Sequence, residues 1–142
     1  MSGFLLDTNV VSELVRPKPD ENVARWVEAT DESILFISSL TLGEIRNGVE
    51  RLGSGRRRGR LESWLQVDLR ARFRDRILPI DEEVADRWGL ISALAKAHGK
   101  PVPVVDGLLA ATAVHYNLTF VTRNISNVAG TGVATLNPWV ES

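Results

Sequence analysis

Apolar residues fall along the chain in two rhythms. Short unbroken runs read as buried strands: Phe4-Leu5-Leu6, Ile34-Leu35-Phe36-Ile37, Ile77 to Ile80, Thr119-Phe120-Val121 and Val133-Ala134-Thr135-Leu136. Between them the spacing becomes helical. Val10, Val11 and Leu14 mark a short helix over Thr8 to Val15, stopped by Pro17 and Pro19. Asp20 is placed to cap a second, with Val23, Trp26 and Val27 facing inward. Thr41-Leu42-Gly43-Glu44 fits a Ser/Thr-x-x-Glu capping box, so a helix is predicted to begin there and run through Ile45, Val49 and Leu52 to the Gly53-Ser54-Gly55 break. Leu61, Trp64, Leu65 and Leu69 give another amphipathic helix. Asp81 opens a long one with Val84, Trp88, Ile91, Leu94 and Ala95 on one stripe, closed by Gly99 and Pro101. The last predicted helix starts at Asp106, with Val105, Leu108, Leu109, Thr112, Ala113 and Tyr116 in helical period. Strands separated by helices imply an α/β fold, a central parallel sheet of about five short strands with helices on both faces. In such sheets ligands bind beyond the carboxyl ends of the strands.

Three acids stand at those places. Asp7 follows an apolar strand directly, while Glu44 and Asp106 are predicted in the first turns of helices. Brought together, three carboxylates repel unless a cation holds them or some are protonated. Oxygen ligands without His or Cys suit magnesium or manganese rather than zinc. Such an ion activates water and polarises phosphoryl oxygens, chemistry that a phosphodiester substrate uses best. Each acid taken alone also has a plain reading. Glu44 and Asp106 in first turns would gain roughly 0.3–1 kcal/mol from the helix dipole, and Asp7 would simply cap the helix at Thr8.

Composition narrows the classes. The chain has 142 residues and no cysteine, which excludes disulfides and thiolate metal sites and suits a reducing compartment. No secretory leader and no membrane-spanning run is expected. A net charge of −1 hides an uneven distribution. Arg56, Arg57, Arg58 and Arg60 cluster after two glycines, either as a phosphate-gripping loop or as a solvated helix start. No Gly-x-Ser-x-Gly elbow and no P-loop is present. His98 at a helix end and His115 late in its helix read as structural, and Trp26, Trp64 and Trp88 as core or interface.

Four segments, in order along the chain, resemble the motifs of PIN-domain ribonucleases, specifically the VapC/FitB type of toxin from bacterial type II toxin–antitoxin systems. They are Phe4-Leu5-Leu6-Asp7-Thr8-Asn9-Val10-Val11-Ser12-Glu13, Ile37-Ser38-Ser39-Leu40-Thr41-Leu42-Gly43-Glu44-Ile45-Arg46-Asn47-Gly48, Val104-Val105-Asp106-Gly107-Leu108-Leu109-Ala110-Ala111-Thr112-Ala113 and Val121-Thr122-Arg123-Asn124, with Asn137-Pro138-Trp139 similar to the FitB branch. The resemblance implies a PIN fold, with residues 1–142 as one PIN domain, and a cytoplasmic homodimer. It also implies RNA cleavage that depends on Mg2+ or Mn2+, and a cognate antitoxin that supplies any contact with operator DNA. It carries Asp7 and Asp106 onto the principal metal ligands and adds Glu44, directly or through water. Thr8 and Thr122 would orient carboxylates or water. Asn124 stands where some relatives have aspartate. An amide can bind a cation through its oxygen, which would give Asn124 a direct catalytic role, but it brings no charge, so the second ion site should be weaker and one-ion catalysis is open; Asn124 also suits a merely turn-shaping role. The antitoxin is expected to cover the acidic groove, inserting an arginine among the carboxylates and resting a helix on apolar faces near Leu14, Trp26 and Leu52. Two alternatives compete: a catalytically weak module that holds RNA or the antitoxin, and a nuclease directed at DNA.

Overall fold

A computed structural model describes residues 3–140. The apolar runs form β1 (Phe4–Leu6), β2 (Leu35–Ser38), β3 (Ile77–Leu78), β4 (Thr119–Val121) and β5 (Thr135–Leu136), all parallel in one sheet of order β3-β2-β1-β4-β5. Phe4, Leu5 and Leu6 lie beside Thr119, Phe120 and Val121, which fixes the β1–β4 register. The helices are α1 (Thr8–Leu14), α2 (Glu21–Ala29), α3 (Ser39–Glu50), α4 (Arg56–Ser63), α5 (Arg70–Arg72), α6 (Glu82–Ala97) and α7 (Val104–His115). A π-helical turn, Trp64–Leu69, joins α4 to α5 and was not legible in the spacing of Leu61, Trp64, Leu65 and Leu69. No helix among the described residues is long and apolar enough to cross a membrane.

Strand side chains alternate between faces, and the core divides accordingly. Leu6, Leu35, Ile37 and Val121 meet Val10, Val11, Val23, Val27, Ile45, Val49, Leu65 and Leu69 on one face. Leu5 and Phe120 meet Leu109, Ala110, Ala113 and Val128 on the other. Asp20 and Asp81 cap α2 and α6 as the sequence predicts.

Two expectations are corrected. The helix after β2 begins at Ser39, because Ser38 accepts the Leu40 N–H and takes the cap; Thr41 is buried inside the helix and Glu44 lies in its second turn. On α6, Leu94 leaves the inward stripe and is 51% exposed, since only Val84 and Ala95 of this helix are fully covered.

The strand order places the site. The chain lays down β2 and β3 to one side of β1, then returns to add β4 and β5 on the other. The reversal opens a crevice at the carboxyl ends of β1 and β4, where doubly wound sheets receive ligands.

Candidate functional site

Asp7 leaves β1 into that crevice. Its backbone N–H donates to the Val121 carbonyl at 2.9 Å, continuing the β1–β4 ladder by one step. Its side chain caps α1, Oδ1 accepting the Thr8 N–H at 2.7 Å. Oδ2 accepts the Thr122 hydroxyl, also at 2.7 Å. Thr122 is 1% exposed and is itself held by the Asn124 N–H at 3.1 Å and, more loosely, by the Asn9 amide at 3.5 Å. Glu44 reaches across from α3 and accepts the Thr8 hydroxyl at 2.5 Å; the buried Thr41 hydroxyl lies 3.2 Å from the same Thr8 oxygen. Asp106, the third residue of α7, is half-buried and accepts from the Asn127 carboxamide at 3.5 Å.

The electrostatics join these groups. Burial pushes the Asp7 carboxyl from 3.8 up to about 6, against the hydrogen bonds from Thr122 and Thr8, and the charges of Asp106 and Glu44 push it the same way as burial. Burial also raises Asp106, opposed by the Asn127 hydrogen bond. Asp7 therefore senses both other acids at one end of the sheet, although more than 30 residues separate each from the next in sequence.

The donor set is oxygen only. Asp7 is held where its charge is poorly solvated, and the buried amide oxygen of Asn9 has no donor among the described residues. Both observations fit a hard cation with oxygen ligands. Among the described residues, no three acidic or imidazole side chains already stand at the spacing of a closed metal cage.

The remaining sequence candidates divide. The Asn124 side chain makes no hydrogen bond among the described residues, and only its backbone N–H serves the site. Arg58 turns away to Glu50 and Glu62 at 3.0 Å each and to the Leu52 carbonyl, while Arg56, Arg57 and Arg60 are exposed. His98 closes α6 against the Leu94 carbonyl, and His115 lies 3.3 Å from Glu83 in an open surface groove lined also by Asp86 and Leu90. Neither imidazole touches the carboxylates. Sequence reasoning missed Asn9, Thr41 and Asn127. Asn9 sits two residues from Asp7, in the first turn of the helix that Asp7 caps, a signal that could have been followed; Asn127 lies in the 3-10 loop Ile125–Thr131, where no periodicity points to it.

Comparisons with known proteins identify the chain's relatives. The PIN domain family model matches residues 4–126. Toxin FitB of Neisseria gonorrhoeae is 40% identical over 136 residues, 96% of this chain and 98% of that protein. The VapC ribonuclease Y4jK of Sinorhizobium fredii is 34% identical over 136 residues, 96% of this chain and 97% of that protein. A solved structure described as FitAB bound to an IR36 DNA fragment superposes with a TM-score of 0.93 at 37% identity, covering 98% of this chain and 97% of its counterpart.

Proposed function

Since the chain belongs to the PIN domain family, we propose that it is the toxin of a type II toxin–antitoxin pair. In this reading it is an endoribonuclease that hydrolyses RNA phosphodiester bonds with Mg2+ or Mn2+ and is neutralised by a cognate antitoxin. The observation that carries the reading is the buried Asp7 carboxyl, raised to about 6 and sensing both Asp106 and Glu44 at the β1–β4 crevice. The names of the relatives, a toxin and a ribonuclease, support it.

Asp7 and Asp106 would hold the cation, with Glu44 completing the site directly or through water. Bound there, a divalent ion polarises a phosphoryl oxygen and lowers the pKa of a water. The chain's own residues prepare the place. Thr122 and the Thr8 N–H fix both oxygens of Asp7. The Thr8 hydroxyl ties Glu44 to the start of α1. The exposed Arg56, Arg57 and Arg60 would attract the RNA backbone without regard to sequence.

Partners follow from the surface. A recess of about 240 Å³ between α1 and the π-helical turn, walled by Val11, Leu14, Trp64, Leu69 and Phe73 with Asp68 and Arg72 at its edge, suits an apolar side chain of an antitoxin helix. Trp26, in contrast, is spent on an edge-on contact with Phe4 at 5.0 Å. Leu90 and Leu94, 61% and 51% exposed on α6, support self-association as a homodimer. Operator DNA would be contacted through the antitoxin, and a chain without cysteine suits work in the cytoplasm.

Single-stranded RNA and DNA of one sequence, incubated side by side with purified protein and magnesium, test the activity. RNA should be cut and DNA spared, and cutting should vanish with EDTA, Asp7→Asn or Asp106→Asn. Cleavage that survives all three refutes the mechanism. The open spacing of the carboxylates favours a second reading, a catalytically weak module for RNA or antitoxin. RNA affinity intact with no calorimetric binding of millimolar manganese would select it.

A further inference from the structure

We propose that Asn127 is a positioning residue of this site: its carboxamide N–H holds Oδ2 of Asp106 and leaves the other carboxylate oxygen to face the cation. The inference rests on the cation-binding reading above and adds a residue to it. Among the described residues Asp106 has one side-chain hydrogen bond, from Asn127 Nδ2 to Oδ2 at 3.5 Å, across 21 positions of sequence. An ionised carboxylate only accepts, so the amide must present its nitrogen there. A nitrogen so engaged cannot ligate a hard cation. Its effect is on the direction of Asp106.

The loop carrying Asn127 is clamped to the segment carrying Asp106. A Cβ on Gly130 would stand 2.7 Å from the Lys100 carbonyl oxygen, 2.8 Å from Lys100 Cβ and 3.1 Å from Ala95 Cβ. The loop therefore sits directly on the connection from α6 to α7, six residues before Asp106. Val128 is buried in the core beside Leu109 and Ala110, and the Asn127 N–H closes a turn onto the Asn124 carbonyl at 3.1 Å. Asn127 is thus anchored on both sides while its side chain stays exposed. Asn124, the amide the sequence singled out, has no such contact.

Manganese titrations of the full chain, followed by the electron paramagnetic resonance signal of the free ion, test this. Hydrogen-bond partners of ligating carboxylates change metal affinity about 10- to 100-fold when removed, and the long contact places Asn127→Ala at the low end, about tenfold weaker. Melting temperature, and RNA affinity measured in EDTA, should be unchanged in Asn127→Ala. Equal manganese affinity in parent and Asn127→Ala overturns the inference alone. A loss matched by a fall in melting temperature or in EDTA-measured RNA affinity overturns it in favour of a structural or RNA-contact role. A parent protein that binds no manganese overturns the cation reading as well.

Discussion

Replacing Asp7 with asparagine should make the cation-free protein more stable at neutral pH. In the fold the carboxyl titrates near 6 rather than at 3.8, chiefly because burial disfavours its charge. That gap corresponds to about 3 kcal/mol. The sign follows from its direction. A folded-state pKa above the unfolded one stabilises fully below pH 3.8 and is lost as pH rises through about 6, so the ionised group is a liability at pH 7.5. Asparagine keeps the shape and removes the charge. It can accept from Thr122 or from the Thr8 N–H but not from both through one oxygen, which returns about 1 kcal/mol. The net gain is about 2 kcal/mol at pH 7.5, shrinking and then reversing as the pH falls towards 4. Urea unfolding in EDTA at several pH values measures it directly. Adding magnesium should stabilise the parent by mass action and leave the variant unmoved, so the two curves converge. A variant less stable than the parent at pH 7.5 in EDTA would refute the account of Asp7 as a charge the fold strains to keep.

Other perturbations probe separate parts. Phe120→Ala, which empties a 1%-exposed position beneath α7, should cost about 3–5 kcal/mol by denaturant unfolding, and a loss under about 1 kcal/mol would contradict the packing described. Changing Arg56, Arg57 and Arg60 together to glutamine should weaken RNA binding and flatten its log–log salt dependence by up to about three, whereas Arg58→Gln, whose guanidinium is already paired, should leave that slope nearly unchanged. Leu94→Glu should shift the sedimentation of a dimer to that of a monomer; an unaltered profile would move the dimer contact off α6.

Much of the fold was legible because burial writes a local signature. Phe4-Leu5-Leu6 and Thr119-Phe120-Val121 are short apolar runs and became neighbouring strands, and the caps at Asp20 and Asp81 depend on their own next few residues. Asp7, Glu44 and Asp106 were singled out as acids near the starts of elements; Asp7 does lead from β1 into α1, whereas Glu44 lies a turn inside α3 and Asp106 follows the α6–α7 connection. What failed depended on competition or on distance. Ser38 and Thr41 both offered a cap, and pattern alone could not tell that Ser38 would win while Thr41 turned inward to Thr8. Leu94 keeps the helical spacing of a core residue but is left 51% exposed. The contact of Asn127 with Asp106 is set by how one loop rests on another, at Gly130 and Lys100, and no local pattern encodes that.

The pairing of β1 with β4 has a consequence in time. Asp7 emerges from the ribosome 115 residues ahead of the hydroxyl that fixes its second oxygen. A nascent chain cannot complete this contact until Thr122 has been translated and has left the ribosome. Until then the Asp7 carboxyl lacks one of the hydrogen bonds that hold it in the folded protein.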